Sequence, residues 1–255
     1  MANFGTAPAK LCSNCGKRPP VYRYKKFPRK GDKRHDLCRQ CFKAGCDRER
    51  MTSVVQFEPI THTYTVLGKR VPSVTQILKS EKFADFSNVP DSSAGYSMDL
   101  GTKIHLACQL HDEEALDVDL LDQEIVPYLT GYAKYVTETK FSPELIEHRF
   151  YNETYGFCGT LDRSGTFPPN DYFPSGSKAI VDIKKSDGTI KDWVGVQLAA
   201  YAMSLKAPLT YRRIALRLSS DGKYHHREFA KADFQRDWNA FLCALGCFNY
   251  KAGAK

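Results

Sequence analysis

The sequence lacks any long hydrophobic run. No apolar stretch approaches the roughly 20 residues that a membrane helix needs, and residues 1–10 lack the apolar centre of a secretion signal. These two features argue against a membrane-spanning protein and a secreted one. We therefore expect a soluble, intracellular protein that has no contact with a membrane.

The sequence also lacks a paired set of cysteines. It has nine, an odd number, which together with the missing secretion signal argues against a disulfide framework. Metal ligation or buried free thiols are the better interpretations. Hydrophobic residues make up 42% of the chain, which is enough for a packed core and too many for a disordered protein. The length of 255 residues allows one large domain, or a medium domain with a small module.

Positive charge is concentrated at the N-terminus. Residues 1–53 contain 14 Lys or Arg and 4 Asp or Glu, whereas the remainder contains 23 and 25. A local excess of this kind attracts polyanions, of which nucleic acid is the commonest. A basic arm that only improves solubility is the alternative.

Four cysteines in this basic segment have the spacing of a metal site. Cys12 with Cys15 and Cys38 with Cys41 form two C-x2-C pairs, separated by 22 residues. Four thiolates can surround one ion tetrahedrally, and soft ligands favour zinc, with iron as a lesser possibility. The segment has almost no apolar core, so it is expected to need metal to fold. We predict a zinc ribbon over residues 1–52, linked to a larger domain over 53–255.

The segment between the two cysteine pairs combines cations with aromatic residues. Cations neutralise phosphates, and aromatic faces stack on exposed bases. At least one of the aromatic residues is needed for the core of the ribbon, and docking to a protein is a second possible role. The predicted DNA-binding residues here are Arg23, Lys25, Lys26, Arg29, Lys30, Lys33 and Arg34.

Beyond the ribbon, hydrophobic patterning predicts an α/β domain without internal repeats. Ser73 is expected to cap a short helix, residues 85–97 to form a polar loop, and Pro143 to end a long helical stretch. The remaining expected helices cover 98–111, 194–205 and 231–248, and the expected strands cover 54–57, 63–66, 145–151, 157–163, 179–184 and 212–219.

Two of these strands carry the candidate chemistry. Asp162 ends one strand, and Asp182 and Lys184 share a face of the next because alternate strand residues point the same way. Carboxylates on two strands suit Mg²⁺ or Mn²⁺, and a nearby ammonium can orient water and stabilise charge on phosphorus. An Asp-x-Lys sequence alone is more often a solvated salt bridge.

The surrounding motifs resemble the PD-(D/E)XK nuclease superfamily, and within it the RecB-like exonucleases found in phages and recombination machinery. The resemblance covers about 200 residues, with the motifs in the family's order. They are the hairpin and helix around Pro72-Ser73-Val74-Thr75, the Gly101-x-x-x-His105 helix, Glu147, Gly159-x-x-Asp162, Asp182-Ile183-Lys184 and Gln197-x-x-x-Tyr201.

The resemblance implies a restriction-endonuclease-like mixed sheet flanked by helices. It implies that Asp162, Asp182 and the carbonyl of Ile183 bind Mg²⁺ or Mn²⁺. His105 would complete the ligand set, and Lys184 would position or deprotonate the attacking water. Glu147 would orient that lysine or help to bind a second ion. Gln197 and Tyr201 would brace the site and contact the DNA strand.

By the same resemblance, we expect a DNA exonuclease that serves recombination, repair or DNA degradation in the cytoplasm of a bacterial or phage-infected cell. An endonuclease acting on branched or invading DNA and an inactive DNA-binding protein are the alternatives. A single-strand annealing or recombination protein is a possible partner, and the oligomeric state is not predicted.

Three features depart from the family pattern or stand outside it. Lys185 occupies a position where such enzymes often have threonine, and it is expected either to contact phosphate or to face solvent. The segment 164–178 is expected to be a long loop that either lines a DNA channel or is a passive insertion. Cys108, Cys158, Cys243 and Cys247 are expected to be buried thiols.

Overall fold

The computed structural model describes two short N-terminal strands as backbone, and then residues 55–58, 61–83, 91–118 and 121–253. Side chains are described from residue 55 onward within these ranges, except for residues 91–95. Strand β1 (Tyr22–Tyr24) pairs antiparallel with β2 (His35–Leu37). The four predicted zinc cysteines lie outside the described residues, as do the basic residues between the two strands and the linker near residue 52. The zinc ribbon and its domain boundary therefore stay predictions.

A small antiparallel sheet opens the second part of the chain. Its strands are β3 (Val55–Glu58), β4 (Thr63–Val66) and β5 (Lys69–Val71). Helix α1 (Val74–Ser80) follows, and the predicted Ser73 cap is confirmed. The Ser73 side chain accepts a hydrogen bond from the Gln76 amide, and the Gln76 side chain accepts one from the Ser73 amide. This reciprocal capping fixes where the helix begins.

A five-stranded mixed sheet forms the centre of the molecule, in the order β10-β9-β8-β7-β6. Strands β8 and β9 are parallel, and the other neighbours are antiparallel. The predicted α/β class with a mixed sheet and flanking helices is confirmed. The strands are β6 (Ser142–Asn152), β7 (Phe157–Phe167), β8 (Ser177–Lys185), β9 (Tyr211–Leu218) and β10 (Tyr224–Phe229).

Helices cover both faces of this sheet, which explains the long apolar runs in β8 and β9. On one face, α2 (Asp91–Asp112) and α3 (Val126–Thr139) pack over the side chains of Ala179, Val181 and Ile183. On the other face, α1, α4 (Trp193–Ala202) and α5 (Phe234–Gly253) pack over Ile180 and Ala215. Strand β8 therefore alternates between two cores, and its polar residues must also be accommodated inside.

Several expectations need correction. The predicted polar loop 85–97 is helical from Asp91 onward, so α2 is longer than its apolar pattern indicated. Strands β7 and β8 extend into the predicted loop 164–178 from both ends, leaving residues 168–176 as the connection. Cys108 and Cys158 are buried as predicted, but Cys243 and Cys247 are exposed on α5. The long helical stretch ends before Pro143 as predicted, at Thr139, and Pro143 itself lies within β6, where proline is tolerated because β6 is an edge strand.

Within the described part of the chain, no helix combines the length and the hydropathy that crossing a membrane requires.

Candidate metal centre and active site

Asp162 and Asp182 meet where two paired strands separate. The ladder of paired residues between β7 and β8 ends at Arg163–Val181, and the Ile183 amide then donates a 2.7 Å hydrogen bond to the Asp162 carboxylate. The carboxylate thus takes the place of a main-chain carbonyl. Asp162 is 8% exposed and Asp182 is 1% exposed. Two carboxylates at this depth need cations to balance their charge.

Lys184 supplies one of these cations. Its Nζ lies 2.8 Å from Asp182 Oδ2 and donates a 3.1 Å hydrogen bond to Gln197 Oε1. It also lies 5.4 Å from the centre of the Trp193 ring. Although Lys184 is close, among the described residues no group donates to Asp182 Oδ2 in hydrogen-bonding geometry. A buried carboxylate oxygen with one lone pair free in this way suits a cation.

Gln197 and Tyr201 lie one turn apart on α4 and are both buried. Gln197 Nε2 donates a 2.7 Å hydrogen bond to the Tyr201 hydroxyl, while Gln197 Oε1 accepts the hydrogen bond from Lys184 Nζ. The Tyr201 ring packs edge-on against Phe150, with 5.8 Å between ring centres. Burial raises the pKa of Tyr201 well above its usual value. Gln197, which is held by Tyr201, therefore fixes the position of the Lys184 ammonium group. The contact of Gln197 and Tyr201 with DNA stays a prediction.

His105 reaches the same place from α2. Its Nε2 is 3.0 Å from the carbonyl oxygen of Ile183, and its Nδ1 is 3.4 Å from Glu147 and 3.7 Å from Asp162. One ligand atom from each of His105, Glu147 and Asp162 lies within 4.8 Å of the others. The sheet and α2 therefore bring every predicted Mg²⁺ or Mn²⁺ ligand into one region.

The charges in this cluster alter one another's protonation. Burial lowers the pKa of His105, but the carboxylates of Asp162 and Glu147 outweigh it and raise that pKa to about 9. Burial, with Asp182 and Glu147, raises the pKa of Asp162 to about 7. For Glu147, burial is outweighed by His105 and Arg163, and its pKa lies below the usual value. Such perturbed groups in one cluster are typical of functional sites.

Glu147 has an unusual backbone. Its φ is 47°, a left-handed conformation that a non-glycine residue adopts at a cost of about 1–3 kcal/mol. Its neighbours Ile146 and His148 pair normally with Arg163 and Leu161 on β7. The bend therefore affects one residue of β6, level with Asp162, and it redirects the Glu147 side chain toward His105.

Sequence reasoning missed Arg163. This residue is fully buried and contacts the opposite face of the sheet from Asp162, under α2 and α3. Its Nη1 donates to Glu147 Oε1 at 3.1 Å, and its Nε donates to Asp112 Oδ2 at 2.5 Å. A signal was present in the sequence, because a charged residue follows Asp162 within an apolar strand. Asp112 follows His105 by seven positions and so lies on the same helical face.

Two other features singled out in the sequence, Lys185 and the loop before β8, make contacts away from Asp162 and Asp182. Lys185 is half-buried and donates a 3.0 Å hydrogen bond to Ser97 on α2; its predicted DNA contact stays untested. The connection 168–176 lies five residues along β7 from Asp162, roughly 17 Å away. A cavity of about 670 Å³ at that end is lined by Phe173, Lys178 and Leu209, and Asp162 and Asp182 are not part of it.

The donor set fits a divalent metal. Carboxylate and carbonyl oxygens with one imidazole suit Mg²⁺ or Mn²⁺ better than soft metals. Asp162, Asp182, the Ile183 carbonyl and His105 are the residues that could hold it, and the nearly complete burial of the Asp182 carboxylate supports that assignment. The cysteines predicted to bind zinc lie outside the described residues, so the zinc site stays a prediction.

Sequence comparison gives no relative, because no family model and no curated protein matches the chain. Among solved structures, an alkaline exonuclease from Laribacter hongkongensis is similar at 13% identity. The similarity covers 71% of this chain and 93% of that chain, with a TM-score of 0.28. The same exonuclease in complex with dAMP gives 14% identity, coverage of 72% and 94%, and a TM-score of 0.27. TM-scores this low add nothing to what the geometry of the site indicates.

Proposed function

We propose that the protein is a metal-dependent deoxyribonuclease of the PD-(D/E)XK type. Its first candidate activity is exonucleolytic hydrolysis of DNA in phage or bacterial recombination, repair or degradation. The observation that carries the proposal is the meeting of Asp162, Asp182 and Lys184 where β7 and β8 separate. A solvated salt bridge at a strand end does not explain it, since Asp182 is almost completely buried.

The residues have separate roles in this proposal. Asp162, Asp182, His105 and the Ile183 carbonyl would hold Mg²⁺ or Mn²⁺. When bound, such an ion would supply positive charge next to the scissile phosphodiester. Lys184 is fixed by Asp182 and Gln197, so its ammonium group points at a defined place. There it orients the water that attacks phosphorus and stabilises the negative charge that develops on the phosphate oxygens.

The same core supports an endonuclease that acts on branched or invading DNA, and only the substrate separates the two activities. We propose that the basic zinc ribbon over residues 1–52 helps to bind DNA, and that an annealing or recombination protein is a candidate partner. An inactive binding protein is the less favoured alternative, because Asp162, Asp182 and Lys184 are all present.

The proposal is tested by incubating end-labelled linear DNA and closed circular DNA with the full chain in Mg²⁺, Mn²⁺ or EDTA. We expect metal-dependent loss of the linear DNA only, with a rate lower by about 10³-fold or more in Lys184→Ala, since this variant removes a positioned charge from the reaction. The position of the label on the early products gives the polarity.

Lys178→Ala is the matched control, because Lys178 lies on the same strand and face, six residues from Lys184. It should cleave like the wild type. Metal-dependent cutting of the circle that is lost in Lys184→Ala would keep the chemistry and assign an endonuclease. Binding of DNA without cleavage in any metal would contradict the proposal.

A further inference from the structure

A buried network of charges lies directly behind the candidate metal centre. Arg163 is at its middle, with Asp112 on one side and Glu147 on the other. The Tyr132 hydroxyl donates to both oxygens of Asp112, at 2.9 and 2.7 Å. The network thus joins α2, α3 and two strands of the central sheet.

One nitrogen of Arg163 makes two hydrogen bonds to residues of the candidate metal centre. Its Nη1 donates to the Glu147 carboxylate at 3.1 Å and to the main-chain carbonyl of Asp162 at 2.6 Å. These contacts join β6 to β7 where the Glu147 backbone is bent. A fork of fixed N–H groups suits this task, whereas a lysine ammonium has no comparable planar geometry.

The far side of the guanidinium is anchored by groups outside the metal centre. The Asp112 side chain is 1% exposed, and it pairs with Arg163 Nε while Tyr132 donates to it. Asp112 shares the helical face of α2 with His105. Arg163 and His105 therefore hold Glu147 from two sides. Both depend on α2, because His105 is part of that helix and Arg163 pairs with Asp112 on it.

A left-handed glutamate in a strand persists only where its surroundings fix it. Glu147 has φ 47°, and its carboxylate is held between Arg163 and His105. We infer that Arg163 is a positioning residue, which keeps Glu147 in this bent conformation and so fixes His105 and Asp162 for a divalent cation. The inference rests on the proposed metal-dependent function and assigns Arg163 no contact with substrate.

A double-mutant cycle tests this inference. Mn²⁺ affinity is measured by calorimetry for the wild type, Arg163→Lys, Glu147→Gln and the double variant, each as the full chain. Losing an outer partner of a metal ligand typically weakens metal affinity about 10- to 100-fold, and we expect that loss in Arg163→Lys. In the Glu147→Gln background the same lysine substitution should change affinity by less than about threefold, because Arg163 acts through Glu147.

Cleavage kinetics give a second readout. At saturating Mn²⁺, Arg163→Lys should lower kcat while leaving the KM for DNA within about twofold, since Arg163 does not contact the strand. Arg212→Lys is the matched control. This substitution alters a different arginine–carboxylate pair, between Arg212 on β9 and Glu228 on β10. The pair is not part of the candidate metal centre, so the variant should retain wild-type Mn²⁺ affinity.

If Arg163→Lys fails to fold, Asp112→Asn replaces it in the cycle, because it weakens the anchor while keeping the guanidinium. Wild-type Mn²⁺ affinity in the folded variant, or an equal loss with and without Glu147→Gln, would overturn the inference while leaving the proposed function intact. A wild-type protein that neither binds Mn²⁺ nor cleaves DNA would instead overturn the proposed function, and the inference with it.

Discussion

His105 and Asp162 are the residues whose protonation matters most at the candidate centre. The pKa of Asp162 is raised to about 7 and that of His105 to about 9, and each proton must leave before its group can bind metal. In the metal-free protein near neutral pH the imidazolium faces a partly protonated Asp162 carboxyl. A divalent cation can replace these protons, and so metal binding should release protons.

We expect the affinity for Mn²⁺ to rise with pH from about 6 to about 9 and then to level off. The sign follows from both groups having raised pKa values, since acid keeps them protonated and blocks ligation. Calorimetry in two buffers of different ionisation enthalpy measures both the affinity and the protons released. His105→Ala should bind Mn²⁺ more weakly and lose the part of the rise that comes from the imidazolium. The part that comes from Asp162 should remain and move to higher pH, because His105 lowers the pKa of that carboxyl. Affinity that is constant over this range would exclude His105 and Asp162 as ligands.

Single residues of the site were predictable where the chemistry requires a residue type at a fixed spacing. Asp182 and Lys184 could be found because alternation along one strand gives them a common face, and Asp162 because it ends the Gly-x-x-Asp motif of the strand before. The connection from Arg163 to Glu147 could not, because it depends on one left-handed residue that nothing in the local sequence requires. The expected role of Glu147, to orient Lys184 or to help bind a second ion, stays a prediction, and Asp182 and Gln197 contact that lysine.

At the scale of elements, glycine sets how closely β7 approaches its neighbours. A Cβ atom at Gly159 would lie 2.6 Å from Phe150 Cζ and 3.2 Å from the Tyr201 ring. The glycine of the Gly-x-x-Asp motif thus has a packing role, since it admits the tyrosine that holds Gln197. Gly101, from the other glycine motif, lies inside α2, and among the described residues nothing beyond the backbone of that helix and the two chain neighbours comes within 4 Å of such a Cβ.

The two glycines should therefore respond oppositely to alanine. Gly159→Ala should lower the free energy of unfolding by about 1–3 kcal/mol, because two buried rings must shift. Gly101→Ala should raise it by about 0.5–1 kcal/mol, because alanine favours a helix interior. Urea denaturation followed by circular dichroism measures both. A destabilised Gly101→Ala protein would indicate that this glycine is required by a contact outside the described residues.

Elements buried on both sides were predictable, and those with mixed exposure were not. Strands β8 and β9 follow from short apolar runs, Ala179–Val181 and Ile214–Leu216. Strand β10 has the sequence Tyr-His-His-Arg-Glu-Phe, largely exposed, and was missed because its order comes from pairing with β9 rather than from patterning. The first turns of α2 were assigned to a loop since they are polar, although they continue a helix that is buried further on.

At the scale of the whole molecule, the sequence was sufficient to predict the layers of helices and sheet. It was not sufficient to establish the structure of the N-terminal module. The α/β class and the mixed central sheet agree with prediction, because the alternation of helical and strand patterns constrains topology strongly. The pairing of β1 with β2 between the two cysteine pairs is compatible with a ribbon. The zinc site itself depends on ligands outside the described residues, so it is left to experiment.

Replacing Cys12 and Cys15 by serine should release one zinc ion per chain and weaken the proposed DNA binding, while the part of the chain beyond residue 53 stays folded. Metal content is measured by mass spectrometry and DNA affinity by anisotropy at several salt concentrations. Cys243→Ser/Cys247→Ser is the matched control, because these thiols are exposed on α5. Unchanged zinc content in the first variant would refute the ribbon.

Helix α2 carries two groups that must stay in register with the sheet. His105 and Asp112 are separated by seven residues, or about 10 Å along the axis, and face the same side. Inserting one residue between them would rotate Asp112 by about 100° relative to His105. Substitutions in the 106–111 segment are therefore tolerable where packing allows, whereas insertions and deletions are not. In any set of related sequences, this interval should vary in composition and remain constant in length.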